Sequence, residues 1–271
     1  MLPQEQLIAR VRTCAERDPR LDALMMYGSF TRGEGDAYSD IEFLLFFEDA
    51  AFDQIEPRAW LEQVAPVLLD YTNEHGIVAV IFDNLVRGEF HFHRVSDMPI
   101  AESWRGVVTF PTLESTLLVD KTGRFAPYLA PLIGPPPERT TSPALETLAR
   151  HFATIWLFGH NVLRRGEHAR ALEMLNGVQR ALLHLARAVE GQTANWLTPS
   201  KGLEQDLSAE SYARFRACTA PLDPGALGRA YAESWRWGRE LLDHIAAQHS
   251  IELPGALLER LSDLADALSA W

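Results

Sequence analysis

Two short apolar runs, Leu24-Met25-Met26-Tyr27 and Phe43-Leu44-Leu45-Phe46-Phe47, enclose a polar stretch. It opens as Gly28-Ser29-Phe30-Thr31-Arg32-Gly33 and closes as Asp40-Ile41-Glu42. Runs of this length bounded by turn residues read as strands rather than helices. Side chains alternate between the faces of a strand, so Asp40 and Glu42 point the same way, about 7 Å apart along the backbone. Two carboxylates so placed can share a hard cation. Gly28 permits close backbone approach and Ser29 offers a hydroxyl and an amide, which together suit a triphosphate seated beside the acids. The stretch is therefore a candidate metal and triphosphate site.

The Gly-Ser turn, the ten-residue crossing and the Asp-x-Glu strand resemble the signature of the polymerase-beta-like nucleotidyltransferase superfamily. Many members carry Asp at the second carboxylate. Here Glu42 stands in its place, a longer arm that alters geometry while keeping the chemistry.

The chain has 271 residues, enough for two modest domains that each bury a core, and its formal net charge is -12 with a pI of about 5.2. Nucleic-acid binding draws most of its affinity from basic contacts to phosphate, so this balance argues against a polymerase acting on DNA or RNA. An acidic surface suits a small cationic substrate better. Only two cysteines occur, Cys14 and Cys218, far apart in sequence, which points away from a disulfide framework. No run approaches the roughly 18 apolar residues of a membrane span, and a basic-then-apolar leader pattern is missing. The expectation is a cytoplasmic protein with no membrane and no nucleic-acid partner.

Along the chain, Leu7, Ile8, Val11 and Cys14 predict an amphipathic helix over about Gln4–Glu16. Trp60, Leu61, Val64, Val67, Leu68 and Tyr71 repeat at three and four after Pro57 and predict a second helix covering the sheet. Ile77–Phe82 is continuous and β-branched, as in a central strand. In Arg87–His93 polar and aromatic residues alternate, so a strand there places Glu89, His91 and His93 on one face and Phe90 and Phe92 on the other. Glu89 is the candidate third acid, either to take a proton from an attacking hydroxyl or to complete metal binding. Asp83 is the fallback, and His91 and His93 are left out of the metal site. Leu117–Asp120 predicts a last strand.

Six prolines between Pro127 and Pro143 mark a change of character. The expected organisation is residues 1–130 as one domain, 131–143 as a linker and 144–271 as a helical bundle. Helices are expected over Ala144–Arg164, Glu167–Glu190, Ala209–Cys218, Gly225–Gln248 and Gly255–Leu268, with Ser142 and Ser208 as N-caps. Arg164, Arg165 and Arg170 are candidate anion contacts. Between the helices, Trp196-Leu197-Thr198-Pro199-Ser200-Lys201-Gly202 forms a turn that can present Lys201 outward.

Four segments, 25–35, 39–42, 80–92 and 165–170, closely resemble a lincosamide nucleotidyltransferase. The resemblance implies an α+β fold, with an N-terminal mixed sheet flanked by helices and a C-terminal helical bundle. It also implies transfer of a nucleoside monophosphate from a nucleoside triphosphate to a hydroxyl of lincomycin or clindamycin, with magnesium and pyrophosphate release, in a homodimer. On this reading Asp40 and Glu42 hold magnesium, Gly28 and Ser29 seat the triphosphate, Glu89 accepts the hydroxyl proton, and Arg32 or Lys201 offsets charge on the pyrophosphate. The Trp196–Lys201 turn is similar to a triphosphate-contacting segment of aminoglycoside nucleotidyltransferases. An aminoglycoside acceptor is the alternative enzyme reading, and a non-catalytic antitoxin-like binding module is the alternative from another class. If Lys201 meets the triphosphate, Lys201→Ala raises the apparent KM for nucleotide by more than that for the acceptor, as steady-state kinetics with each substrate varied in turn will read.

Overall fold

In the computed structural model, which describes residues 1–249 and 251–268, the chain divides into two compact units, Met1–Pro137 and Glu138–Trp271. The fold class is α+β, with a sheet in the first unit and helices in the second.

The first unit is built on six strands: β1 (Leu21–Tyr27), β2 (Ile41–Phe47), β3 (Val67–Thr72), β4 (Val78–Phe82), β5 (Arg87–Arg94) and β6 (Leu117–Asp120). Their spatial order is β3-β4-β5-β2-β1-β6. Only β2 and β5 run parallel, with Ile41 opposite Gly88 and Glu42 opposite Glu89, and the other pairs are antiparallel. A parallel pair needs a long crossover, and here the excursion through β3 and β4 supplies it.

The alternation of β2 divides the core in two. Ile41, Phe43, Leu45 and Phe47 pack with Leu7, Val11 and Ala15 of the first helix, α1 (Pro3–Arg17), and with Trp60, Val80 and Phe90. Leu44 and Phe46 face the other way, joining Met25, Met98, Phe110, Phe125, Leu129 and Leu132. Glu42 lies on this second face, at the end where the strand begins. Burial of so many aromatic and branched side chains, each contributing about 1.5–3 kcal/mol, holds both layers onto the sheet.

The helix expected from Trp60 to Tyr71 is not formed as such. A helix covers only Pro57–Leu61, and Val67, Leu68 and Tyr71 belong to β3. Pro66 is the reason: it has no N–H to donate and its ring clashes with a preceding helical turn. Its carbonyl instead accepts from Asp83 N–H (3.0 Å), which ties the start of β3 to the end of β4. β4 itself lies next to the edge strand rather than at the centre of the sheet. Leu132, inside the stretch expected to be linker, is buried in the first unit, and its carbonyl accepts from Phe110 N–H (2.9 Å).

In the second unit the long helices are Ser142–Arg164, His168–Glu190 and Pro224–His249, with Ala209–Ala217 and Gly255–Leu268 beside them. Ser208 caps its helix, accepting from Ser211 N–H (3.1 Å). Ser142 does not: the cap position is Thr141, and the Ser142 hydroxyl donates to His249 carbonyl. Trp156, Phe152 and Trp235 stack at the centre. Trp156 Nε1 donates to the Tyr231 carbonyl (2.9 Å), and Tyr231 Oη donates to that of Ala171 (2.8 Å), so the polar atoms of these large side chains are satisfied inside the core.

The segment after His168–Glu190 is held chiefly by the side chain of Arg187. Arg187, 0% exposed, donates to the carbonyls of Pro199 (2.8 Å), Gln192 (3.0 Å) and Lys201 (2.7 Å) and to Asp206 Oδ2 (2.8 Å). Asn195 donates to the same Asp206 oxygen (2.8 Å), while Arg180 and His184 hold the carbonyls of Leu197 and Trp196. Arg187 is buried and Asp206 half-buried, so removing the guanidinium, which also leaves three carbonyls without their donor, typically costs about 3–5 kcal/mol. Arg187→Met is therefore expected to lower stability by about that amount, read as a lower midpoint in urea followed by helical circular dichroism.

Candidate active site

At the start of the parallel pair, three strands bring polar groups onto one face. Tyr27 at the end of β1 is opposite Glu42 of β2, and Glu42 is opposite Glu89 of β5. Asp40 immediately precedes β2 and Arg87 opens β5. The face agrees with the alternation read from sequence: Phe90 packs on the α1 side, with Phe92 against the same cluster, whereas His91 meets Tyr27 and His93 stacks on Phe46.

Three acids so close demand a counter-charge, and Arg87 supplies it. Its Nη1 donates to Asp40 Oδ2 (2.6 Å) and its Nη2 to Glu89 Oε1. One guanidinium thus ties together the two acids that flank Glu42. Charge-assisted bonds of this kind are among the strongest available to a side chain. The same alternation that selected Glu89 also places Arg87 on its face, yet nothing in the local pattern marks it as the partner of Asp40.

Glu42 has no such partner. Its Oε2 is buried and accepts no hydrogen bond, and burial, followed by the charges of Asp40 and Glu89, pushes its carboxyl up to about 7. Arg32 and Arg87 act in the opposite sense and more weakly. The carboxylate lies directly over Gly28, where φ is +85°, and a Cβ at that position would overlap Glu42 Oε2. Glycine is thus required twice, for its left-handed backbone and for the space it leaves.

After Gly28 the chain makes one turn of 3₁₀ helix over Phe30–Arg32. Ser29 begins this turn, and its carbonyl accepts from Arg32 N–H (3.1 Å) and Glu34 N–H (3.0 Å). The buried Thr31 hydroxyl donates to Gly28 carbonyl (2.8 Å), locking the turn shut. Arg32 is exposed and pairs with Glu34 (3.1 Å).

The acids are not a ready-made cation cage: among the described residues, no group of three or more His, Cys, Asp or Glu is arranged to hold a metal ion. Asp40 and Glu42, expected as a metal pair, differ in their partners because Arg87 already neutralises Asp40 and Glu89. The donor set nevertheless fits a hard divalent ion. Its atoms are carboxylate oxygens, which magnesium prefers, and the unpartnered Glu42 Oε2 leaves a negative group in need of a proton or a cation.

Asp83 is exposed in the turn between β4 and β5. Lys201 belongs to the second unit, where its backbone N–H donates to Thr198 carbonyl (2.8 Å) and its carbonyl accepts from Arg187. Arg170 pairs with Glu167 (3.1 Å) and also lies over the Phe158 ring.

With this geometry in hand, comparison with known proteins adds the following. Residues 141–264 match the family described as lincosamide nucleotidyltransferase-like, C-terminal domain. The matched residues lie within the second unit. No curated protein matches the chain by sequence. Among solved structures, an aminoglycoside 6-adenyltransferase from Bacillus subtilis is 13% identical with a TM-score of 0.46, covering 100% of both chains. A nucleotidyltransferase-like protein from Exiguobacterium sibiricum is 13% identical with a TM-score of 0.38, covering 98% of this chain and 89% of its own. Both likenesses are too loose to decide fold or function.

The raised carboxyl of Glu42 makes stability depend on pH. Folding favours its protonated form, so its contribution to stability is full below the ordinary value of 4.5 and is lost as pH rises through about 7. Glu42→Gln is expected to raise the thermal midpoint relative to the parent at pH 8 in chelator and to do so far less at pH 4. Magnesium, which favours the ionised carboxylate, is expected to lift the parent's midpoint at pH 8 and not the variant's. Differential scanning fluorimetry across these conditions checks both.

Proposed function

We propose that the protein is a nucleotidyltransferase that moves a nucleoside monophosphate from a nucleoside triphosphate to a hydroxyl of a lincosamide, releasing pyrophosphate and so disabling the antibiotic. The observation that carries the reading is the register Tyr27, Glu42, Glu89 across β1, β2 and β5, which sets the Gly28-Ser29 turn and a third acid on either side of one half-buried carboxylate. The lincosamide nucleotidyltransferase-like domain at residues 141–264 supports it independently and directs the choice of acceptor.

In this reaction the acceptor hydroxyl attacks the α-phosphorus of the triphosphate. The new P–O bond forms as the bond to the pyrophosphate oxygen breaks, and the hydroxyl proton passes to a base. Gly28 and Ser29 seat the triphosphate, with the peptide groups of the closed turn held in place by Thr31. Arg32, exposed beside the turn, offsets charge gathering on the pyrophosphate. Lys201 is given the same task on the sequence resemblance alone.

Glu89 takes the proton. Its pairing with Arg87 holds it in position, and Asp40 shares that guanidinium, so release of Arg87 from either acid alters the charge on the other. Asp40 and Glu42 would hold magnesium, which neutralises triphosphate oxygens when bound. Small-molecule chemistry of this kind needs no basic nucleic-acid track, in keeping with the net charge of -12. No helix among the described residues is long and apolar enough to cross a membrane. The reading places the enzyme in the cytoplasm as a homodimer.

A positioned general base contributes about 10²–10⁴-fold to rate. Glu89→Gln keeps size and one acceptor oxygen but cannot take the proton, so turnover is expected to fall by about that factor with nucleotide affinity little changed. Single-turnover rates and nucleotide titration on one preparation read this, with lincosamide and aminoglycoside acceptors compared by product mass. Loss of nucleotide binding would move Glu89 into the metal shell, and unchanged turnover would exclude it as the base.

A further inference from the structure

β1 and β5 are not neighbours in the sheet, because β2 lies between them. Even so, Tyr27 Oη and His91 Nε2 are 2.9 Å apart, and the two rings meet edge to face at 5.8 Å between centroids. The Tyr27 side chain therefore crosses above β2. In register it starts opposite Glu42, while His91 stands opposite Leu44, so the crossing runs diagonally along the face towards the apolar end. His91 in turn lies against His93 (6.0 Å between centroids), and His93 stacks on Phe46 (5.5 Å), which packs on Phe125 (4.4 Å). A polar tie is thus anchored in the buried aromatic layer behind it.

The two ends of this tie belong to the two halves of the proposed reaction. Tyr27 is bonded directly to Gly28, the first residue of the turn assigned to the triphosphate. His91 is two residues from Glu89 on the same face of β5, the residue assigned to the acceptor's proton. Backbone pairing fixes each strand against β2. The remaining freedom is in the end of β1, where regular pairing stops at Tyr27 and the chain turns into its 3₁₀ helix.

We infer that the Tyr27–His91 hydrogen bond across β2 is a positioning device, which fixes the Gly28-Ser29 turn at the distance and angle to Glu89 that in-line transfer requires. Tyr27 and His91 are positioning residues and neither touches the reacting atoms. The inference rests on the transfer reading above. Misplacement of reactive groups by about 1 Å can cost about 10²-fold in rate. A tie of this kind therefore acts on the chemical step more than on binding.

The test is a double-mutant cycle on the full chain. Tyr27→Phe keeps the ring and deletes the hydroxyl, and His91→Leu removes the hydroxyl's partner. His91→Gln keeps a side chain able to bond the phenol. Pyrophosphate release is measured with lincomycin and each of the four nucleoside triphosphates, alongside thermal midpoints and nucleotide affinity. Tyr27→Phe and His91→Leu are each expected to lower kcat about tenfold with nucleotide affinity within twofold. The double variant should be no slower than the worse single variant, because both remove one interaction, and His91→Gln should recover part of the loss.

Losses that multiply in the double variant, or that follow the fall in thermal midpoint, would assign these side chains to packing and overturn the inference. So would wild-type kcat in Tyr27→Phe. A parent protein that releases no pyrophosphate with any triphosphate would overturn the transfer reading and the positioning role together, whereas an active parent with an indifferent Tyr27→Phe overturns the positioning role alone.

Discussion

Three carboxylates gathered at one end of a sheet repel one another, and the rest of the site is arranged around that constraint. At an effective dielectric constant near 20, two unit charges 4 Å apart interact by about 4 kcal/mol. The first unit answers with one guanidinium and one incipient proton. Arg87 binds Asp40 and Glu89, and the half-buried Glu42 between them is left with a carboxyl pushed up to about 7. The acidic end is thus held in a state that a proton, a cation or a rearranged arginine each changes. A site of this kind is responsive to a charged ligand because its charges are only just balanced.

The apolar layers make that arrangement permanent. Ile41, Phe43, Leu45 and Phe47 lock β2 against α1 on one side, while Leu44 and Phe46 lock it on the other. A shift of one residue along β2 would put every one of these side chains on the wrong face. The position of Glu42 is therefore specified by hydrophobic packing along the whole strand rather than by any bond of its own. Gly28 completes the enclosure, since only a residue without Cβ leaves room for the carboxylate above it.

In the second unit a buried arginine plays an organising part of a different kind. Arg187 satisfies three carbonyls and a carboxylate in a segment that has little regular structure. Buried backbone carbonyls in such a segment require donors, and a planar fork of five N–H groups can serve several at once. The shape of the turn that contains Lys201 is set largely from the helix.

The sequence by itself determined the periodic parts. Alternation in β2 and β5 settled which face carries Glu42, Glu89 and His91, and helical spacing located the long helices of the second unit, because both signals depend only on local backbone geometry. It misread Trp60–Tyr71, where residues at helical spacing span Pro66 and a change from helix to strand. It was silent on pairings between distant segments. That β2 and β5 run parallel, that Arg87 reaches Asp40 forty-seven residues away, that the Glu42 carboxylate lies over Gly28, and that Tyr27 meets His91 across an intervening strand were decided by tertiary structure alone. Each depends on which strands become neighbours, and that choice is made by the summed burial of two core layers, a quantity no local window of sequence contains.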